Sequence, residues 1–184
     1  MDIKTLTMEP EKRNQLIDRC KAGQADAFDE LIELYGSRCF GFFYRLSNNR
    51  AVAEDLLSEL FVKLVEKIGG FGDGSFDHWL FTIAGNLFKD HLRSRYRQQK
   101  LIETKANDIR PETEPERPNE MSERLQQALS RLDPETSELI MMRFYADLSF
   151  RELAEKRNEP IGTTLCKIHR GLKKLRELMN VPTT

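Results

Sequence analysis

SFDHWLFTIAGNLFKDHLRSRYR, residues 75–97, says more about the fold than any other part of the chain. Read as a helix, it places Phe76, Trp79, Leu80, Ile83, Ala84, Leu87, His91 and Leu92 on one broad apolar face, three or four residues apart. Thr82, Asn86, Lys89, Arg93 and Arg97 recur at intervals of four, three, four and four on another face. That second row begins with hydrogen-bonding groups and ends in cations, with Phe81 and Phe88 beside it. Across residues 89–100 five bases stand against one acid, Asp90. Amides, aromatics and cations aligned on one helix suit a single nucleic-acid strand, because cations hold phosphates while aromatic faces stack bases at roughly 1–3 kcal/mol each. Helical spacing of aromatics is also what burial produces, and Phe76, Trp79 and Phe88 are expected in the core on that ground.

Beyond that stretch, 184 residues with 39% hydrophobic and 32% charged content leave room for one domain or two small ones. The net charge of −1 does not exclude a nucleic-acid binder, because the charges are segregated: residues 89–100 and 167–176 are basic and the stretch between them is acidic. Local basic patches in a balanced total point to conditional rather than avid binding. No apolar run approaches the roughly 20 residues of a membrane span, and the start, MDIKTLTMEPEK, has no signal-peptide pattern. Cys20, Cys39 and Cys166 share no metal-type spacing with one another or with His78, His91 and His169, so reduced thiols in a cytoplasmic protein are expected, with no metal and no cofactor.

The chain in order predicts an all-α protein. Helices are expected at about 10–22 and 25–46, the second with Phe28, Leu31, Ile32, Tyr35, Cys39, Phe42, Phe43 and Leu46 at helical spacing. Ser47-Asn48-Asn49 breaks the pattern and caps a third helix whose apolar face carries Val52, Leu56, Leu57, Leu60, Phe61, Leu64, Val65 and Ile68. Its other face opens with Glu54, Asp55 and Glu59, acids that equally well serve the helix dipole. Gly69-Gly70-Phe71-Gly72-Asp73-Gly74 is an open loop, unsuited to cradle a phosphate since no strand precedes it and no Gly-Lys-Ser/Thr follows. From residue 98 to about 121 proline and charge dominate, a flexible-linker composition. Helical pattern resumes at Ser122; Asp133-Pro134-Glu135 starts another helix, and Ser149-Phe150-Arg151-Glu152 fits a capping box. Pro160 suits the first turn of the last helix, which buries Thr164, Ile168, Leu172, Leu175 and Met179 and turns Thr163, Cys166, Lys167, Arg170, Lys173 and Lys174 outward. Two helices across a short turn, the second strongly basic, make a helix-turn-helix, whose second helix enters the major groove.

With these stretches in view, ADAFDELIELY, AEDLLSELFVKL, GSFDHWLFTIAGNLFKDHLR and LSFRELAEKRNEPIGTTLCKIHRGLKKLR together resemble, in order and spacing, the extracytoplasmic-function group of bacterial sigma factors in the sigma-70 family. The resemblance implies two small helical domains on a flexible linker: residues 8–98 as sigma region two, 99–121 as linker, and 122–181 as sigma region four with its helix-turn-helix. It implies a non-enzymatic subunit that binds core RNA polymerase and promoter DNA, directs melting and initiation, and is held by an anti-sigma factor. Asp55, Leu56, Glu59 and Phe61 would meet polymerase. Phe71, Ser75, Trp79, Thr82, Asn86, Lys89, Arg93 and Arg97 would serve the minus-ten element, the loop over 71–75 taking a flipped base. Arg151, Thr163, Leu165, Lys167 and Arg170 would serve the minus-thirty-five element. The acidic linker over 103–120 would run along the later path of the transcript.

Departures from the family pattern fall at Thr82 and Gly85, where longer residues are usual, and at Leu165, Cys166 and Asn158 around the recognition helix. Gly85 costs a helix about 1 kcal/mol against alanine, which points to close approach of another chain or strand there. Leu165 can still contact a thymine methyl. The residues by themselves also suit a stand-alone helix-turn-helix regulator acting without polymerase, a small helical enzyme or a helical adaptor. An enzyme fits poorly, with no nucleophile–base pair and no small-molecule substrate site in view.

Overall fold

The computed structural model describes residues 9–102 and 120–179. Every regular element among them is helical: α1 (Pro10–Lys21), α2 (Ala25–Ser47), α3 (Arg50–Lys67), a 3-10 turn (Ile68–Gly70), α4 (Phe76–Ile102), α5 (Glu120–Ser130), α6 (Pro134–Tyr145), α7 (Phe150–Arg157) and α8 (Ile161–Leu178). The boundaries follow local chemistry. Asn48 ends α2 in the left-handed conformation (φ 51°), and the Asn49 side chain accepts the Val52 N–H at 3.1 Å to open α3. Asp133 caps α6 by accepting from the Thr136 N–H at 2.8 Å, and Ser149 with Glu152 closes the capping box of α7.

Several expectations need correction. α4 runs to Ile102, past the residue where linker was expected, and α5 begins at Glu120 rather than Ser122. Gln98, Gln99, Lys100, Leu101 and Ile102 contain no glycine or proline, so helix propagates through them once nucleated. Pro160 caps α8 instead of entering its first turn. Val65 is 53% exposed and Leu172 is 36% exposed, while Gly171 is buried. A Cβ at Gly171 would lie 2.3 Å from Thr136 Cγ2, so α8 turns its smallest residue toward α6 and rotates Leu172 outward. The linker reading over 103–119, with its transcript path, lies outside the described residues.

The first half, α1 to α4, closes on Tyr35, Phe42, Phe43, Phe76 and Phe81, all fully buried. Their rings meet edge to face, Tyr35 with Phe76 at 5.3 Å and Phe42 with Phe81 at 5.4 Å. Phe81 and Phe88 are therefore core, and neither is free to stack on a base. The second half, α5 to α8, buries Leu129, Leu139, Ile140, Leu148, Leu153, Ile168 and Leu175. The two cores merge into one apolar cluster. Tyr145, at the end of α6, lies 6.1 Å from Phe42 and 6.3 Å from Phe81, ring centre to ring centre. Gln126 on α5 donates to the Tyr44 and Arg45 carbonyls at 3.0 and 3.1 Å, fastening α5 to the last turns of α2. Arg38 bridges the halves by donating both to Asp77 and to the Tyr145 carbonyl.

Candidate nucleic-acid interface

α4 supplies the first surface. Ser75 starts it by accepting the His78 N–H at 3.2 Å, and Gly74, at φ 121°, makes the entry turn that a side chain would strain. Phe71 from the preceding loop joins Phe76 and Trp79 in a corner, its ring 5.4 and 5.3 Å from theirs, with the Lys21 ammonium 5.3 Å from its centre. Phe71 and Trp79 are half-buried there. Further along the helix, Asn86, Arg93 and Arg97 are exposed on one strip. Arg93 touches Asp90 at 3.1 Å, but both side chains are about 70% exposed, so that pair holds little. Thr82 is half-buried and its hydroxyl oxygen has no partner. Lys89 leaves the strip altogether and forms an ion pair with Glu138 of α6 at 3.2 Å.

α3 supplies the second surface. Asp55 and Glu59 are exposed and, with Asp90 and His91 of α4, line a groove between the two helices. Leu56 turns into the core at 4% exposure, and Phe61 is half-buried against it. Burial, and then the Arg95 charge, lowers the His91 pKa, and its Nε2 has no hydrogen-bond partner. Val62 is 58% exposed on the same helix, an apolar position that the sequence reading left out.

α7 and α8 form the third. Asn158 takes the left-handed conformation (φ 51°) that glycine usually fills in such a turn, a state asparagine tolerates. Arg151, Thr163, Leu165 and Arg170 are exposed. Lys167 is tied back, donating to Glu159 at 2.6 Å, and Thr164 donates to the same carboxylate at 2.7 Å. Those two bonds hold the Glu159 carboxyl below its ordinary pKa, the lysine having the larger effect. Cys166 is exposed while Cys20 and Cys39 are buried, all three free thiols. Among the described residues no group of three or more His, Cys, Asp or Glu is placed to hold a metal ion.

A fourth cluster was not anticipated. Glu138, only 4% exposed, has Lys89 at 3.2 Å and Arg157 at 3.6 Å. Lys156 adds a third cation whose Nζ is buried with no hydrogen bond, and burial pushes its pKa down to about 8. A glutamate directly before the apolar run LIMM and a glycine inside α4 were the available signals, but nothing local pairs them. The lysine carries a testable cost. Its ammonium titrates near 10.5 when free and near 8 when folded, so the unfolded chain holds more protons and stability rises with pH between those values. Lys156→Met is expected to add about 1–3 kcal/mol at pH 7 and to abolish that rise. Thermal melts across pH 7 to 10 check both, and an unchanged profile speaks against the account.

These surfaces belong to a helical protein with one cation-lined helix face, a helix with exposed acids and a helix-turn-helix. Sequence comparison agrees with that geometry. Residues 31–98 match the Sigma-70 region 2 family and residues 128–177 match Sigma-70, region 4. RNA polymerase sigma factor CarQ of Myxococcus xanthus is 31% identical over 169 residues, spanning 89% of this chain and 95% of that one. ECF RNA polymerase sigma factor BldN of Streptomyces coelicolor is 33% identical over 175 residues, 90% of this chain but 65% of the longer relative. Among solved structures, the sigma factor RpoE in complex with the anti-sigma factor NepR, from Bartonella quintana, superposes with a TM-score of 0.71 at 25% identity, over 85% of this chain and 98% of that one. The chain therefore belongs to the sigma-70 family, in its extracytoplasmic-function group.

Proposed function

We propose that this sigma-family chain directs core RNA polymerase to promoters and assists melting and initiation, acting through binding and not through chemistry of its own. The observation that carries this is the coincidence of two unlike DNA surfaces, the exposed Asn86–Arg93–Arg97 strip of α4 and the exposed basic face of α8, with the two family-matched stretches. In this reading residues 8–98 dock and melt, and residues 122–181 read the minus-thirty-five groove. Asp55 and Glu59 meet a basic surface of polymerase, with Leu56 and Phe61 supporting them from the core side. Phe71, Ser75 and Trp79 shape the place for a flipped base, at a corner that is already built, which lowers the few kcal/mol that extrusion costs. Asn86 works at the opened duplex, and Lys89, Arg93 and Arg97 hold phosphates, Lys89 once freed from Glu138. Arg151, Thr163, Leu165, Lys167 and Arg170 work at the minus-thirty-five element, where Glu159 has to yield Lys167.

Two modest grips become one specific grip when polymerase fixes their separation, because the second contact is then intramolecular. A net charge of −1 suits a subunit that binds DNA weakly alone. The relative RpoE was crystallised with an anti-sigma factor, and an anti-sigma partner is proposed for this chain too. None of the helices among the described residues is long and apolar enough to cross a membrane, and action in the cytoplasm is part of the proposal. Run-off transcription with core polymerase on a promoter library tests it: start-site choice is expected to change when the protein is added, with weak duplex binding in its absence. Tight binding to a palindromic site without polymerase, and no effect on initiation, would establish the stand-alone regulator instead.

A further inference from the structure

One stripe of α4 meets the second half of the chain: His78, Phe81, Gly85 and Lys89, spaced three, four and four. His78 Nδ1 lies 3.5 Å from Glu152 of α7, and the Phe81 ring faces Tyr145 of α6. A Cβ at Gly85 would stand 2.4 Å from Met142 Cε and 3.0 Å from Glu138 Oε1. Lys89 pairs with that same Glu138 oxygen at 3.2 Å. The strand-facing row, Thr82, Asn86, Arg93 and Arg97, lies one residue further round the helix, and Lys89 is the cation where the two rows meet. A carboxylate and a phosphate offer an ammonium the same kind of charged oxygen acceptor. Glu138 thus occupies Lys89 as a strand phosphate would, and α6 stands along the flank that an incoming strand has to share.

We propose that the chain holds itself closed, with Glu138 acting as an internal stand-in for a backbone phosphate at Lys89 and the second half covering the flank of the single-strand row. This rests on the reading of α4 as the strand-binding helix. Gly85 finds its reason here: without a side chain it leaves room for the tips of Met142 and Glu138 from α6, and a residue as large as leucine has to displace both. Three cations, Lys89, Lys156 and Arg157, converge on the one carboxylate, so neutralising Glu138 leaves them crowded together at the seam and favours separation. Binding of a strand and closure compete for Lys89, and the apparent affinity for a strand is reduced by the fraction of molecules that are open.

Glu138→Gln and Gly85→Leu test this from opposite sides of the seam. The first keeps size and removes charge; the second adds bulk with no charge and removes a helix-weakening glycine. Both are measured for radius of gyration by small-angle X-ray scattering and for binding of a short single-stranded oligonucleotide of randomised sequence. Circular dichroism reports helix content, and run-off transcription with core polymerase is carried out on the unchanged protein alongside. Expansion together with at least about tenfold tighter strand binding, at unchanged helix content, is expected of both. Should Glu138→Gln lose helix content, Gly85→Leu decides alone. Variants as compact as the parent, or expanded with no gain in strand binding, overturn the proposal. If the parent still directs transcription in that case, only self-closure is lost; if the parent directs none, the functional reading falls as well.

Discussion

Replacing Asp77 by alanine is expected to lower stability by about 3 kcal/mol, the low end of the range for breaking a buried ion pair, because Arg13 keeps some contact with water. Asp77 is the point where four elements are tied. Its carboxylate accepts from Arg13 of α1 at 3.3 Å, from the Tyr35 hydroxyl of α2 at 3.2 Å, and from Arg38 of α2. Arg38 in turn holds the Tyr145 carbonyl at the end of α6. Alanine leaves two guanidiniums and a phenol without their acceptor, and it removes an acid from the first turn of α4, where the helix dipole favours one. The conservative Asp77→Asn variant retains an acceptor oxygen, so a smaller loss is expected there. Urea unfolding followed by circular dichroism measures both. Hydrogen exchange in α6 is expected to rise in the alanine variant, since releasing Arg38 loosens the seam. A loss below about 1 kcal/mol shows that the network is solvated in solution and holds little.

The largest functional effect is expected from Arg93→Glu combined with Arg97→Glu. Both side chains are exposed, and their visible contacts are weak: a solvated pair with Asp90, and a 3.4 Å bond from Arg97 to the Arg93 carbonyl. Folding is therefore expected to be unaffected. Promoter melting by the polymerase complex is expected to fall at least about tenfold, because two phosphate contacts are replaced by repulsion. The salt dependence of single-strand binding is expected to lose about 1.4 from its log–log slope, corresponding to two phosphates at roughly 0.7 each. A fluorescent base analogue in the minus-ten region reads melting, and anisotropy with labelled protein reads polymerase binding. Equal losses in both measurements place these arginines at the polymerase contact instead of the strand.

How much of this was legible in the sequence differs from residue to residue. The caps at Asn49, Asp133 and Ser149 were readable because a capping side chain bonds a backbone group two or three residues away. The apolar face of α4 was readable for the same reason, since helical periodicity puts its members on one side whatever they pack against. The family resemblance added the assignment of function, which periodicity does not contain. Errors began where burial depended on a second element. Phe88 suited core by its spacing; Phe81, set beside the strand row, also proved to be core. Val65, placed on the apolar face of α3, is 53% exposed, and Leu172 lost its place to Gly171 because α6 approaches α8 at that level.

Charge pairing was the least legible. Lys89 and Lys167 belong to basic rows in the sequence, and both are neutralised, by Glu138 from α6 and by Glu159 from the turn. The helices, their capped ends at Asn49, Asp133 and Ser149, most of their apolar faces and the family could be read from the order of residues, since those properties depend largely on neighbours within a few positions. Only the docked helices reveal that the two halves share one core, that Gly85 lies at the seam between them, and which cations remain free to meet DNA. Such pairings are set by how helices far apart in the chain come together, and the energy of a buried charge depends on that whole surrounding rather than on its own stretch of sequence.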